Sequence, residues 1–219
     1  DNEATHPKLY PTEWEDFLTV SRPGVFQDPD ALLVGNVMDQ PSCRECADRR
    51  HKSQFCPAHD VESGNLDNHI PCMCCGSLNP VEEQTNMVMW SMFAAPLEMA
   101  ADLRTISNAS AAILKNREVI AVNQDPLVVQ ARRVTNVGGL QVWSKRLVDD
   151  SVAVALYNAN DAPHPIPLIF EHVGFASCDR VLVRNLIRHE DLGVHTGGIT
   201  LDEPIPSHGS VLLNLTVVW

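Results

Sequence analysis

Positive charge is scarce in this sequence. Sixteen Lys and Arg stand against 28 Asp and Glu, which gives a formal net charge of -12 and a pI near 5.0. Binding along a phosphate backbone needs clustered cations, so nucleic acid is excluded as a partner. Long apolar runs are also missing. No window reaches the roughly 18 apolar residues of a membrane-crossing helix, so no span is expected. There is no internal repeat. There is no leader pattern either, and the chain opens on Asp1 in a polar stretch, as a piece cut from a longer chain would. Apolar residues still make up 44% of the 219 residues, enough for one large domain, two small ones, or part of something bigger.

Residues 1–22 are polar, with Trp14 and Phe17 as anchors. Ala31 to Val34 reads as a short buried strand end, closed by Gly35-Asn36. The character then changes: positions 37–75 hold six of the seven Cys and three of the nine His, without sustained periodicity. Order returns at Asn79-Pro80, which starts a helix with Asn as N-cap, Pro in the first turn and Glu82 and Glu83 next to the positive end of the dipole. That helix is expected to run through "VEEQTNMVMWSMFAA" and stop at Pro96. Its second half is apolar nearly all round and therefore buried on most faces. "PLEMAADL" is a candidate strand and loop. Ser107 caps a second expected helix, "NASAAILKNREVIAVNQ", ended by Asp125-Pro126.

After Leu127 the period becomes two. "GLQVWSKRL", "SVAVALYNA", "IPLIF", "RVLVRNLI" and "SVLLNLTVV" are short strands separated by Gly, Pro, Asn and Asp clusters, which indicates an antiparallel sandwich. The expected fold class is therefore α/β plus all-β, with a boundary near Leu127.

"QDPDALLVGN", residues 27–36, sets two carboxylates around a proline just before an apolar run. On residue chemistry alone, Asp28 and Asp30 cap a turn. Together with Gly35-Asn36, Ala94-Ala95-Pro96-Leu97 and the unbroken Asn123-Gln124-Asp125-Pro126-Leu127, however, the sequence resembles the second half of a family 27 glycoside hydrolase. These are the α-galactosidases and α-N-acetylgalactosaminidases of clan D. The resemblance covers most of the chain outside the Cys-rich segment and the first 20 or so residues.

The resemblance implies the last strands and helices of a (β/α)8 TIM barrel over residues 1–127, then a C-terminal β-sandwich over 128–219. It implies retaining hydrolysis of terminal α-linked galactose or N-acetylgalactosamine by two carboxyls about 5 Å apart. Both family aspartates precede this motif, and Asp16 in "TEWEDF" does not match the acid/base segment, so no catalytic residue is expected in this chain. Asp30 matches an aspartate that lines the sugar pocket, while Asp28 is expected to hold the turn. The family's Trp, Asn and Met are replaced by Phe26, Gln27 and Ala31. No cofactor is implied. The implied partner is a glycoside substrate, the full-length form is expected to be a homodimer, and the location is expected to be lysosomal or secreted.

The Cys-rich segment stays open between several readings. Cys43-x₂-Cys46 and Cys56-x₂-His59 have the spacing of a four-ligand zinc site. The same segment reads as a loop insertion at the active-site face, as a disulfide-bonded loop, or as sequence that never folds. Cys178 reads as a small core or edge residue. Two sequons, Asn108-Ala109-Ser110 and Asn214-Leu215-Thr216, are candidate glycosylation sites. Two rival functions remain: a non-catalytic carbohydrate-binding or scaffold fragment, and a zinc-binding interaction module.

Overall fold

The structure is a computed structural model and describes residues 21–36 and 78–218. The expectations at Trp14, Asp16, Phe17 and the whole 37–75 segment, including Cys43, Cys46, Cys56 and His59, lie outside the described residues. Among the described residues three helices, α1 (Pro80–Met92), α2 (Asn108–Leu114) and α3 (Arg117–Asn123), precede an eight-stranded β region.

Helix α1 starts where its sequence requires. The Asn79 side chain accepts from the amides of Val81 and Glu82, and Glu82 Oε2 accepts the Asn79 amide in return at 2.9 Å, a complete capping box. Its end differs from the expectation. The helix stops at Met92, ahead of Pro96, because Ala94 turns left-handed at φ 52°. The Ala94 amide then reaches Ser91 O and the Ala95 amide reaches Trp90 O, a Schellman closure that needs no proline.

The single helix expected over 108–124 is two. Asn116 breaks it, because its side chain accepts from the amides of Glu118 and Val119 and so starts α3 afresh. Its Nδ2 donates to Leu186 O, which aims α3 at the β region.

The strands are β1 (Arg132–Val137), β2 (Leu140–Arg146), β3 (Val152–Asn158), β4 (Leu168–Ile169), β5 (Arg180–Asn185), β6 (Glu190–Thr196), β7 (Gly198–Ile199) and β8 (Ser210–Val217). Six form one antiparallel sheet in the order β1-β2-β3-β8-β5-β6, and β4 pairs with β7. β2, β3, β5 and β8 fall where alternation placed them. "IPLIF" shrinks to the two residues of β4 because the chain turns at once into a 3-10 turn over Phe170–Val173. β1 and β6 carry little apolar alternation and were not expected. Both are outer strands in which no residue is fully buried.

Alternation sorts the large sheet into two cores. On one face Trp143, Ala153, Ala155, Tyr157 and Leu212 pack against α1 and α3, with Phe93 edge-on to Trp143 at 5.5 Å and 79°. On the other face Val142, Val154, Leu156, Val183, Leu213 and Leu215 pack under Leu168, Phe170, Phe175 and Ile205. The near-continuous apolar run of β3 follows from burial on both sides.

Polar groups pin the helices to the sheet. The Arg184 guanidinium clamps Glu118 of α3 with two bonds of 2.8 Å and also reaches Asp191, and His189 Nδ1 lies 2.7 Å from the same glutamate. These partners, Arg184 foremost, hold the Glu118 carboxyl down at about 2 against an ordinary 4.5. His208 sits with its two ring nitrogens 3.2 Å from Glu82 and 3.1 Å from Asp161. Deeper, Lys145 on β2 is 4% exposed and donates from Nζ to Ser91 O at 2.8 Å. Burial lowers its ammonium to about 7, with nearby Asp125 opposing the shift.

Two outcomes follow. Because the folded state disfavours the charged Lys145, the unfolded chain binds that proton more tightly between about pH 7 and 10.5, so stability rises with pH across that window. Lys145→Met should raise stability at pH 6 by about 1–3 kcal/mol and flatten that rise in thermal melts from pH 6 to 10. Glu118 acts in the opposite sense. Its contribution is present above about pH 4.5 and is lost as pH falls toward about 2. Glu118→Gln should therefore lower the melting temperature at pH 7 and make the remaining acid limb shallower.

Candidate functional site

The turn built from Asp28-Pro29-Asp30 carries the candidate site. Asp30 is exposed and left-handed at φ 76°, a conformation that costs a non-glycine residue about 1 kcal/mol or more. Three hydrogen bonds hold it there. The Asp30 amide donates to Asp28 Oδ1 at 2.9 Å, the Ala31 amide donates to Asp30 Oδ1 at 2.7 Å, and the Trp90 indole N–H donates to Asp30 O at 3.0 Å. Asp28 thus spends a carboxylate oxygen on the turn. Trp90 is 2% exposed in α1, so it holds the Asp30 backbone from the interior.

The apolar run after Asp30 is fixed from below. Leu32 makes a parallel bridge to Met99, with its amide on Glu98 O at 2.6 Å and its carbonyl receiving the Ala100 amide at 3.1 Å. The Leu33 amide donates to Asn86 Oδ1 and the Gly35 amide to Glu83 Oε1. Glu83 Oε2 accepts the Ser110 hydroxyl at 2.8 Å, so one buried carboxylate joins the loop, α1 and α2. Gly35 has φ 72°, and a Cβ there would lie 2.7 Å from the Ile106 side chain. Glycine is therefore required at 35 by both conformation and space.

Sequence reasoning treated Glu83 as an acid near the helix dipole and did not single out Asn86 or Trp90. Their signal was available: Glu83 and Asn86 are three apart, and Trp90 follows four later, a spacing that shares one helix face. The unbroken motif at 123–127 joins elements. Asn123 Nδ2 donates to Trp90 O and Ala95 O, while Asp125 accepts the amides of Leu127 and Val148.

The other candidates are dispersed. Asn108 is exposed at the first residue of α2, and Asn214 is half-buried on β8. Of the two positions expected for Cys178, core or edge, the structure excludes the core: it is a free, exposed thiol in the turn ahead of β5. Among the described residues no group of His, Cys, Asp and Glu could hold a metal ion, and no helix is long and apolar enough to cross a membrane. A cleft of about 490 Å³ opens between the start of α1 and β5–β6, with Gln84, Arg188, Glu190 and Glu203 in its wall. No residue of the 28–30 turn lines it, and neither does any aromatic ring on which a sugar could stack.

The strain at residue 30 can be measured. Asp30→Gly removes the left-handed penalty and should leave the melting temperature unchanged or raised. Asp28→Ala removes the bond to the Asp30 amide and should lower stability by about 1 kcal/mol. Thermal melts of the two variants beside the parent read both effects.

Comparison with known proteins agrees with this geometry. Residues 137–215 match the family described as "Alpha galactosidase C-terminal beta sandwich domain", and residues 67–125 match "Alpha galactosidase A". A probable α-galactosidase of Dictyostelium discoideum is 36% identical over 143 residues, covering 64% of this chain and 37% of that protein. Alpha-galactosidase 3 of Arabidopsis thaliana is 34% identical over 144 residues, covering 64% of this chain and 33% of that protein. The crystal structure of α-galactosidase I from Mortierella vinacea superposes with a TM-score of 0.69 at 26% identity, covering 90% of this chain and 41% of that one. The chain thus spans about a third of the length of the relatives it matches. With both family matches in chain order and this fold beneath them, the chain belongs to family 27 of the glycoside hydrolases, the α-galactosidase family, of which it represents a C-terminal part: the end of a (β/α)8 barrel and the β-sandwich that follows it.

Proposed function

We propose that the protein to which this chain contributes is a retaining glycosidase that removes terminal α-linked galactose or N-acetylgalactosamine from glycoconjugates. Within it, Asp30 contacts the sugar and Asp28 shapes the turn. The observation that carries this reading is the strained Asp30 turn, which stands in the family's Asp-Pro-Asp motif and exposes a carboxylate while three hydrogen bonds fix its backbone. Strain retained at an exposed acidic residue is the pattern of a functional position. A carboxylate held in this way accepts hydrogen bonds from sugar hydroxyls without first being ordered, each charge-assisted contact contributing about 1.5–3 kcal/mol.

Chemistry at the anomeric carbon needs two carboxyls about 5–5.5 Å apart, one to attack and one to protonate the leaving oxygen and then activate water. Asp28 is committed to its turn, so we assign both roles to residues N-terminal to the Asp-Pro-Asp turn, within the barrel portion that makes the relatives longer than this chain. Loops at the C-terminal ends of barrel strands carry the active site in this architecture, and Asp30 reaches the sugar from one such loop. An acidic protein with two sequons suits a lysosomal or secreted location.

The test is hydrolysis of an aryl α-galactoside by this chain alone and by the chain joined to its upstream barrel. The 219-residue chain alone should show only background, and the complete barrel should turn over. In that complete form Asp30→Asn should lower kcat/KM about tenfold or more, with little change in melting temperature. A kinetically silent Asp30→Asn would overturn the role of this turn, and turnover by the isolated chain would overturn the placement of the catalytic pair.

A further inference from the structure

The two sequons are equivalent in sequence and differ in the fold. Asn108 and Ala109 are exposed, so a group attached at Asn108 extends into solvent. The third residue of that triplet, Ser110, is 5% exposed, and its hydroxyl is engaged: it donates to Glu83 Oε2 and lies 2.8 Å from Ser107 Oγ. Transfer of a glycan to asparagine uses the hydroxyl two residues on, so in the folded chain Ser110 is no longer available to assist it. Modification at Asn108 must precede folding, and once made it leaves Ser110 free to take its place under α1.

Asn214 has the opposite surroundings. It lies in β8 between β3 and β5, opposite Ala153 and Arg184 in the register. Its Nδ2, the atom a glycan would occupy, donates to Ser151 Oγ at 3.2 Å, and its Oδ1 accepts from Thr216 Oγ1 at 3.3 Å. The side chain is half-buried on the face that carries Leu212, next to the Arg184 clamp on α3. A carbohydrate chain on Nδ2 would break the bond to Ser151 and would have to leave from the face of the sheet that carries Leu212.

We propose that Asn108 is an N-glycan attachment site of this protein and that Asn214 is left unmodified in the folded chain. The inference stands apart from the proposed glycosidase activity, because it concerns only side-chain access and the order of modification and folding.

The test is expression of the chain behind a leader in a eukaryotic secretory host. Peptide mapping before and after release of N-glycans follows, on secreted and cell-retained material separately, with a thermal melt to identify the folded fraction. Folded material should carry glycan at Asn108 and none at Asn214. Asn108→Gln should abolish the glycan mass shift with the melting temperature unchanged, whereas Asn214→Gln should leave the mass shift intact. Ser110→Thr should keep the glycan and Ser110→Ala should lose it. Bare Asn108 in either fraction, or glycan at Asn214 in the folded fraction, would overturn the proposal.

Discussion

Everything else in this structure depends on a sheet that is buried on both faces. An antiparallel sheet with one wet face would need polar residues at alternate positions of β3. Instead Ala153, Ala155 and Tyr157 look one way, Val154 and Leu156 look the other, and all are buried. The small β4–β7 pair and the aromatic residues Phe170 and Phe175 close one side. The other side is closed by α1, with α3 beside it. This explains why α1 is apolar around most of its circumference, since it must satisfy the sheet on one flank and the 31–35 loop and α2 on others. It also explains why a lysine is tolerated in the interior: Lys145 meets the carbonyl end of α1, where the helix dipole favours a cation.

Much of this was legible in the sequence, where local chemistry and long-range packing agree. The Asn79-Pro80 start was readable because cap, proline and acids act within one turn. The strands β2, β3, β5 and β8 were readable because each is a short run rich in apolar and β-branched residues bounded by turn residues. What failed depended on single residues choosing between two local options. Asn116 takes the capping role over continuation of the helix, and Ala94 takes a left-handed conformation that its small side chain does not announce. The outer strands β1 and β6 escaped because a strand paired on one side only, with solvent over much of its surface, has no need of the pattern that reveals strands.

The site was legible as a motif and not as a mechanism of support. The Asp-Pro-Asp order announces a turn and, by resemblance, a sugar contact. That Asp30 is left-handed, and that a tryptophan 60 residues later holds its carbonyl, are facts of the fold. The unbroken Asn-Gln-Asp-Pro-Leu run taught the converse lesson. Its Asn123 ties off the carbonyls at the end of α1, and Asp125 fixes both its own turn and the β2–β3 hairpin. Its specificity is that of a joint, in which several backbone groups from different elements must be satisfied at once.

The two rims of the large sheet differ from its interior in kind. The β1 rim slips register between Arg133 and Thr135 and displays Arg132, while at the β6 rim pairing shifts between Val183 and Arg184 and Glu190 and Asp191 stand in solvent. An irregular, charged rim is a poor template for a further strand. One rim shows a cation and the other shows anions, so charge opposes only the meeting of like rims. The obstacle common to both rims is their irregular pairing, which leaves no regular ladder for a neighbouring strand to extend.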